Sequence, residues 1–162
     1  MSRKSDNIEK AIFAAGCFWG VEDRFRRHEG VVNTRVGYIG GHIENPDYQQ
    51  VCQGHTGHAE AVEVTYDSKK TSFESLADLF FSLHDPTQKN RQGPDIGDQY
   101  RSEIFALNDD QIQTARKILE DLRQSRSWPD AIVTRITDAS DMTFWEAEEY
   151  HQEYLLKQRG QK

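Results

Sequence analysis

The stretch Lys10-Ala11-Ile12-Phe13-Ala14-Ala15-Gly16-Cys17-Phe18-Trp19-Gly20 predicts a buried strand that turns sharply into a helix. Its first six residues form a short, mostly apolar run, which is typical of a buried strand, and Gly16 ends that run at a tight turn. Beyond the turn, Val21 and Phe25 continue an apolar pattern at helical spacing, and Gly30 supplies a stop signal. The cysteine therefore lies between a strand and the first turn of a helix.

The rest of the chain alternates strands and capped helices without a strict strand–helix–strand repeat. β-branched or alternating residues predict strands at 31–39, 61–66, 102–107 and 131–137. Capping signals predict three further helices: one from the capping box Thr71-Ser72-Phe73-Glu74 to about residue 84, one from Asn108 through residue 122, and one from Thr143-Phe144-Trp145-Glu146 to about residue 156. This order favours an α+β fold, in which helices pack on a mostly antiparallel sheet.

Two segments lack the apolar pattern of a strand or helix and are predicted to be loops. Residues 40–47 hold two glycines and a proline. Residues 87–99 form a thirteen-residue loop with Gly93, Pro94 and Gly97, and a loop of that length in a compact domain is typically functional. No repeat or linker divides the chain, so we expect one domain over residues 1–162 with an ordered core of about 10–156.

The composition is that of a well-solvated domain. Of the 162 residues, 36% are hydrophobic and 29% are charged, and the formal net charge is −7. Because negative charge repels phosphate backbones, we expect no nucleic-acid partner. We expect no membrane association either, since no stretch approaches the ~18 apolar residues of a spanning helix and the first six residues lack a secretory signal. These features predict a cytoplasmic protein in which Cys17 and Cys52 are reduced thiols, and we expect it to be a monomer.

Cys17 is the first candidate for chemistry because of its place at a helix N-terminus. Unpaired backbone N–H groups of the first helical turn would point at its sulfur, which predicts a lowered thiol pKa and a nucleophilic thiolate. The alternative is a small buried hydrophobic residue, the usual role of a free cysteine. Phe18 and Trp19 favour the functional interpretation, since both cannot face the core and at least one is expected to line an apolar pocket above the sulfur.

A second cluster of chemical groups, Cys52-Gln53-Gly54-His55-Thr56-Gly57-His58-Ala59-Glu60, precedes the strand at 61–66. Its cysteine, histidines and carboxylate are metal-ligand types. They lie in one short stretch, however, whereas a structural zinc site draws on two separated pairs, so we expect no metal. Glu60 is better suited to acid chemistry, because desolvation near an apolar pocket would raise its pKa and keep a proton available. By itself, this position is more typical of a solvated glutamate at the edge of a strand.

Three further polar residues lie in or beside the glycine- and proline-rich loops. They are Tyr48, Asp95 and Tyr100. Each alone is typical of a protein surface. Together with the thiol and Glu60, two phenols and a carboxylate would supply hydrogen bonds to a polar oxygen while the pocket walls stay apolar.

Five motifs follow one another along the chain: Gly16-Cys17-Phe18-Trp19-Gly20, Gly57-His58-Ala59-Glu60-Ala61-Val62, His84-Asp85-Pro86, Gly97-Asp98-Gln99-Tyr100-Arg101-Ser102 and Ala147-Glu148-Glu149-Tyr150-His151-Gln152-Glu153-Tyr154-Leu155. In this order they resemble the motifs of the peptide methionine sulfoxide reductase A family over nearly the whole chain. The resemblance implies a ferredoxin-like α/β sandwich. It also implies thiol-dependent reduction of the S epimer of methionine sulfoxide, free or within proteins, and repair of oxidised proteins without a cofactor.

The resemblance implies a role for each site residue. Cys17 matches the nucleophile, which would attack the sulfoxide sulfur and become a sulfenic acid, and Glu60 matches the donor of a proton to the oxygen. The other matches are Phe18 and Trp19 as walls of the methyl pocket, Tyr48 and Tyr100 as phenols near the oxygen, Asp95 as a carboxylate that orders the site, and His151 and Tyr154 as structural positions.

Cys52 raises the question of how the sulfenic acid is reduced. Many family members use cysteines in a C-terminal extension, and this sequence has no cysteine after Cys52. The family has a cysteine at the position of Cys52 even when the resolving cysteine lies in the extension, which favours a structural Cys52. The resemblance therefore implies an external thiol, namely thioredoxin, glutaredoxin or glutathione, with Cys52 as the one internal alternative.

Two rival functions stay open at this point. A thiol hydrolase would use Cys17 as nucleophile with His55 or His58 as base, and it would release an acid or amine. A non-catalytic module would bind a peptide through Trp19 and the tyrosines, and it would keep its affinity after Cys17 is replaced by serine.

Overall fold

The computed structural model describes residues 7–54, 56–125, 128 and 130–160. Its strands are β1 (Ile8–Ala15), β2 (Val31–Ile39), β3 (Ala59–Asp67), β4 (Arg91–Gln92), β5 (Asp95–Ile96), β6 (Ser102–Ala106), β7 (Arg135–Asp138) and β8 (Trp145–Glu146). Its helices are α1 (Phe18–Arg26), α2 (Tyr48–Cys52), α3 (Phe73–Ser82), α4 (Asp109–Ser125) and α5 (Tyr154–Gly160). Within the described residues, β4 and β5 form a small hairpin and the other six strands form one sheet.

The main sheet is mostly antiparallel, as the sequence predicts. Its order is β7-β6-β1-β3-β2-β8, and β7 is parallel to β6. Phe13 of β1 lies opposite Val62 of β3, and Glu60 of β3 lies opposite Tyr38 of β2. This register places the end of β1, which leads to Cys17, beside the start of β3, which carries Glu60.

The core is built on both faces of β1. Phe13 is fully buried on one face, where its ring stacks on Phe25 of α1 and Phe80 of α3 at centroid distances of 4.9 and 5.4 Å. On the opposite face, Ile12 and Phe105 belong to a smaller apolar cluster. Because successive side chains of a strand point to opposite faces, burial of both faces explains the continuous apolar run of β1.

Two predicted helices are confirmed at slightly shifted positions. The Asn108 Oδ1 accepts the Gln111 N–H at 2.9 Å and caps α4. The cap of α3 is Ser72 rather than the predicted Thr71, since the Ser72 Oγ accepts the Ser75 N–H at 3.0 Å. The helix ends at residue 82 rather than 84.

The prediction of a long last helix over 143–156 is wrong. Trp145–Glu146 forms β8, which pairs with β2 and places Trp145 opposite Tyr38. A 3-10 helix (Glu149–His151) and the short α5 follow. The local capping pattern is overridden because the outer edge of β2 offers unpaired backbone groups that β8 satisfies.

The loop predicted at 40–47 is confirmed, whereas the loop predicted at 87–99 contains more regular structure than expected. Residues 40–47 lead directly into α2, which the sequence did not predict and which Asp47 and Gln50 close with a reciprocal capping box. The segment 87–99 contains the β4–β5 hairpin and the start of a 3-10 helix (Asp98–Tyr100). The strand predicted at 131–137 begins only at Arg135. Among the described residues, no helix has the length and apolar character needed to cross a membrane.

Candidate active site

Cys17 occupies the N-cap of α1, directly after a turn that requires glycine. Gly16 has a φ of +102°, and a Cβ atom there would lie 2.9 Å from Cγ of Gln92. Glycine meets both constraints, which lets β1 pass into α1 at once. The Cys17 side chain is half-buried at this corner, and the backbone N–H groups of Trp19 and Gly20 interact with its sulfur.

The Cys17 thiol is nevertheless protonated in the resting site. Burial, together with the charges of Glu60 and Asp95, raises its pKa to about 11 and outweighs the lowering effect of the two N–H groups. The prediction of a lowered pKa is therefore wrong for the free protein. The sequence shows the helix end but not the apolar atoms and carboxyl groups that surround the sulfur.

Glu60 lies near the start of β3 and is 1% exposed. Its Oε1 accepts the Phe18 N–H at 3.2 Å, and its Oε2 has no hydrogen-bond partner among the described residues. Burial, with a contribution from Asp95, raises the pKa of Glu60 to about 8. The predicted rise is confirmed, and the alternative of a solvated glutamate is wrong. At neutral pH the carboxyl group therefore keeps its proton beside the thiol.

Phe18 and Trp19 face different environments, as the sequence predicts. Phe18 is buried, with its ring 5.8 Å from Tyr38 and 5.1 Å from His151. Trp19 is partly buried, and its ring stacks on Tyr154 at 3.9 Å. The Trp19 Nε1–H donates to Nδ1 of His151 at 2.9 Å, which holds the indole in place. An ordered aromatic surface therefore adjoins the thiol.

Tyr48 in α2, Asp95 in β5 and Tyr100 at the end of a 3-10 helix interact electrostatically with the Cys17 and Glu60 site. Burial and then Glu60 raise the pKa of Tyr100, which keeps its hydroxyl protonated and able to donate a hydrogen bond. Burial also raises the pKa of Tyr48, to which Glu60 contributes. Asp95 raises the pKa of both Cys17 and Glu60. The structure thus brings together groups that are separated by up to 83 positions in the sequence, from Cys17 to Tyr100.

Cys52 ends α2 and is an exposed free thiol. Its sulfur interacts with the hydroxyl groups of Tyr48 and Tyr100, and burial is the largest cause that raises its pKa. Cys17 is also a free thiol. The second cysteine therefore lies beside the two phenols of the site.

The structure describes one of the two histidines of the second sequence cluster, His58, and the backbone occupies both of its ring nitrogens. His58 is buried, its Nδ1 accepts the Gly41 N–H at 3.0 Å, and its Nε2 lies 2.7 Å from the Ile43 carbonyl oxygen. Both ring nitrogens are thus engaged by the backbone, which leaves no free nitrogen to act as base for Cys17. His55 lies outside the described residues. No group of three or more metal-ligating side chains occurs among the residues that the structure describes.

Sequence reasoning missed Glu148, which lies next to this site. Its carboxylate accepts the Tyr38 hydroxyl and the Tyr48 backbone N–H, each at 2.9 Å. The sequence signal for Glu148 is the motif at 147–155, in which the family resemblance assigns roles only to His151 and Tyr154. A carboxylate in a polar segment is commonly solvated, so its contacts could not be deduced from the motif alone.

Comparison with known proteins agrees with this geometry. Residues 9–162 match the family model described as Peptide methionine sulfoxide reductase. The chain is 58% identical over 149 residues to Peptide methionine sulfoxide reductase MsrA of Methanothermobacter thermautotrophicus, and the match covers 92% of this chain and 87% of that protein.

Solved structures give the same result. Methionine sulfoxide reductase A of Corynebacterium diphtheriae has a TM-score of 0.88 and 38% identity, covering 94% of this chain and 76% of that chain. Mxr1 from Saccharomyces cerevisiae in complex with Trx2 has a TM-score of 0.63 and 26% identity, covering 95% and 89%.

These similarities define the class as a thiol-dependent oxidoreductase. The chain belongs to the peptide methionine sulfoxide reductase family. Its activity is that of a peptide-methionine (S)-S-oxide reductase, which repairs oxidised proteins.

Proposed function

We propose that Cys17 and Glu60 carry out this reduction as nucleophile and proton donor. The observation that supports the proposal most strongly is the buried Glu60 carboxyl group, whose Oε1 is held by the Phe18 N–H while its Oε2 is unpartnered among the described residues. A protonated carboxyl group beside a thiol is the arrangement that a sulfoxide needs, because the sulfur must be attacked while the oxygen is protonated.

The proposed step transfers one oxygen atom from the sulfoxide to the sulfur of Cys17. The sulfur of Cys17 forms a bond to the sulfoxide sulfur, Glu60 gives its proton to the oxygen, and the thiol proton replaces the proton of Glu60. The hydroxyl group then moves to the Cys17 sulfur while the sulfur–sulfur bond and the former sulfoxide S–O bond break, which releases methionine and leaves a sulfenic acid. The thiol and the sulfoxide together supply every atom of the two products, so this half-reaction needs no cofactor.

The remaining residues of the site are proposed to select the S epimer. Phe18 and Trp19 would hold the methyl group, while the hydroxyl groups of Tyr48 and Tyr100 would donate to the oxygen and Asp95 would order the polar side. Since the sulfoxide sulfur is chiral, exchanging methyl group and oxygen would place a polar atom against the aromatic wall and leave the phenols unpaired.

We propose that an external thiol recycles the enzyme. The thiol would condense with the sulfenic acid of Cys17 to form a mixed disulfide and water, and a second thiol would release Cys17. Thioredoxin, glutaredoxin or glutathione would serve, and the complex of the related Mxr1 with Trx2 supports the first of these. Cys52 is proposed to be structural.

We further propose that the catalytic unit is one ferredoxin-like domain, comprising residues 1–162, that acts as a cytoplasmic monomer. The order β6-β1-β3-β2 within the sheet, with α1 connecting β1 to β2 and α3 following β3, supports this fold.

The test is reduction of each epimer of methionine sulfoxide in the presence of dithiothreitol. We expect the wild type to consume the S epimer and leave the R epimer, as measured by chiral chromatography of the residual substrate. Cys17→Ser should abolish turnover because a hydroxyl oxygen is a far weaker nucleophile than sulfur and cannot form a sulfenic acid, and Cys52→Ser is the matched control that keeps turnover. Equal loss of both epimers would contradict the proposed pocket.

Mass spectrometry after one equivalent of sulfoxide without reductant separates the rival functions. The proposed mechanism gives a protein about 16 Da heavier, which corresponds to one added oxygen atom. A hydrolase or a non-catalytic binding module gives no such species.

A further inference from the structure

We propose that Glu148 is a positioning residue for sulfoxide reduction, because its carboxylate fixes the backbone of Tyr48 relative to the strand that lies opposite Glu60. This inference rests on the function proposed above. Glu148 immediately precedes the 3-10 helix (Glu149–His151) and is followed by the residues that support Trp19.

The two carboxylate oxygens of Glu148 connect two separate elements. Oε1 accepts the hydroxyl of Tyr38 in β2 at 2.9 Å, and Oε2 accepts the backbone N–H of Tyr48 in α2 at 2.9 Å. In the register of the sheet, Tyr38 is the partner of Glu60. One side chain therefore links the element that carries a proposed oxygen-binding phenol to the strand beside the proposed acid.

The short length of α2 makes it dependent on contacts with the rest of the protein, which include the buried Val51. The helix has five residues, and helices of fewer than ~12 residues are marginal in water without tertiary contacts. Its own capping box joins Asp47 and Gln50 and closes the first turn, but both residues belong to the same segment. The Glu148 carboxylate, by contrast, anchors the first residue of α2 to the sheet.

Glu148 also lies close to His151, the residue that holds Trp19 in place. Its Oε1 is 4.0 Å from Nε2 of His151, whose Nδ1 accepts the Trp19 N–H and whose ring lies 4.5 Å from that of Tyr48. The His151 Nε2 has no hydrogen-bond partner among the described residues. A displacement of Glu148 would therefore affect the segment that orders both sides of the pocket.

Glu148 acts through these residues rather than on the substrate. Both of its oxygens already accept hydrogen bonds from the chain, and those donors outweigh burial and lower its pKa. The carboxylate is thus ionised and doubly engaged at neutral pH. Its expected contribution is the placement of the Tyr48 hydroxyl, and errors of about 1 Å in such placement cost up to about 100-fold in rate.

The first experiment compares single substitutions by steady-state kinetics with the S epimer and dithiothreitol. Glu148→Ala should lower kcat by about tenfold to 100-fold with a smaller change in KM, because the hydrogen bond to the oxygen matters most in the transition state. The matched control is Glu149→Ala, which removes the exposed neighbouring carboxylate and should leave kcat within about twofold. Equal effects of the two substitutions would overturn the proposal.

Two conservative variants separate geometry from charge and decide the question if Glu148→Ala does not fold. Glu148→Gln can still accept the Tyr48 N–H with its oxygen and donate to the Tyr38 oxygen with its amide, so we expect kcat within about threefold of wild type. Glu148→Asp keeps the charge but shortens the side chain by one methylene group, and we expect a loss of about tenfold or more. A kcat for the aspartate variant equal to or above that of the glutamine variant would overturn the proposal.

A double-mutant cycle identifies Tyr48 as the residue through which Glu148 acts. If the carboxylate serves to place the Tyr48 hydroxyl, Glu148→Ala should lower kcat by less than about threefold once Tyr48→Phe has removed that hydroxyl. Additive effects would show a merely structural role and overturn the inference. A wild type without activity towards methionine sulfoxide would instead contradict the proposed function, so the two failures are distinguishable.

Discussion

The proton of Glu60 determines how the proposed reaction should depend on pH. Burial raises the pKa of this carboxyl group to about 8, against an ordinary value of 4.5. A general acid works only in its protonated form, so the rate of the first turnover should fall as the pH rises through about 8. Single-turnover formation of methionine measures that step without the recycling reaction.

Glu60→Gln should slow the first turnover by about 10²- to 10⁴-fold, because the amide keeps the shape but has no proton to transfer. It should also remove the inflection near pH 8. Glu63→Gln is the matched control: it lies on the same strand, is buried and pairs with Arg35 away from the site, so the inflection should persist. An unchanged rate in Glu60→Gln would move the role of acid to Tyr48, Asp95 or Tyr100.

At the residue scale, the sequence predicts the direction of the Glu60 shift but not that of Cys17. The pKa of a glutamate near an apolar pocket depends mainly on desolvation. The rise can therefore be predicted without knowing the other contacts of Glu60. Two opposing effects act on the pKa of Cys17. Its helix end is visible in the sequence, whereas burial and the carboxyl groups of Glu60 and Asp95 depend on contacts between distant segments.

At the element scale, the start of α3 shows how local signals compete. Thr71 and Ser72 both fit the pattern of a cap, but the Ser72 Oγ accepts the Ser75 N–H while the Thr71 hydroxyl lies 3.2 Å from Nε2 of His28. A side chain that already binds another segment is not available to cap. The edge strand β8 illustrates the same limit, since the pattern at 143–146 does not reveal that β2 lies beside it.

Ser72→Ala should therefore lower the free energy of unfolding by about 1 kcal/mol, the typical contribution of an N-cap. Chemical denaturation monitored by circular dichroism measures the change. Ser82→Ala on the same helix is the control. The Ser82 hydroxyl only donates to the Leu79 carbonyl oxygen, and alanine favours the helix. We therefore expect the free energy of unfolding to change by no more than about 0.5 kcal/mol. A larger loss for Ser82→Ala than for Ser72→Ala would show that Ser72 is not the effective cap.

At the scale of the whole molecule, the order of the strands in the sheet determines which residues meet in the site. The β1–β3 pairing brings Cys17 to Glu60, while α2, the β4–β5 hairpin and the segment after β8 contribute the other groups. The sequence predicts a mostly antiparallel sheet and most of its strands, but periodicity does not specify which strands become neighbours. The glycine- and proline-rich loops suggested Tyr48, Asp95 and Tyr100 as one polar set, but the resemblance to a family was needed to assign their roles, because nothing in their spacing specifies them.

The chain has two cysteines, and we expect an external thiol to return Cys17 to its reduced form without the participation of Cys52. The Cys52 sulfur interacts with the hydroxyl groups of Tyr48 and Tyr100, which place it on the phenol side of the site rather than at the helix N-terminus that holds Cys17. Cys52→Ser should keep multiple-turnover activity within about twofold of wild type with thioredoxin, or with glutathione and glutaredoxin, since the half-buried sulfenic acid of Cys17 is open to an external thiol.

Quantification of the protein species after one turnover supplies the decisive comparison. A disulfide needs Cα atoms within about 7 Å and sulfur atoms that face each other, whereas in the structure both thiols are free and the Cys52 sulfur is hydrogen-bonded to Tyr48 and Tyr100. We therefore expect a sulfenic acid on Cys17 and a free Cys52. If the wild type instead forms a Cys17–Cys52 disulfide, and Cys52→Ser releases the first methionine but stops there, Cys52 is the resolving thiol.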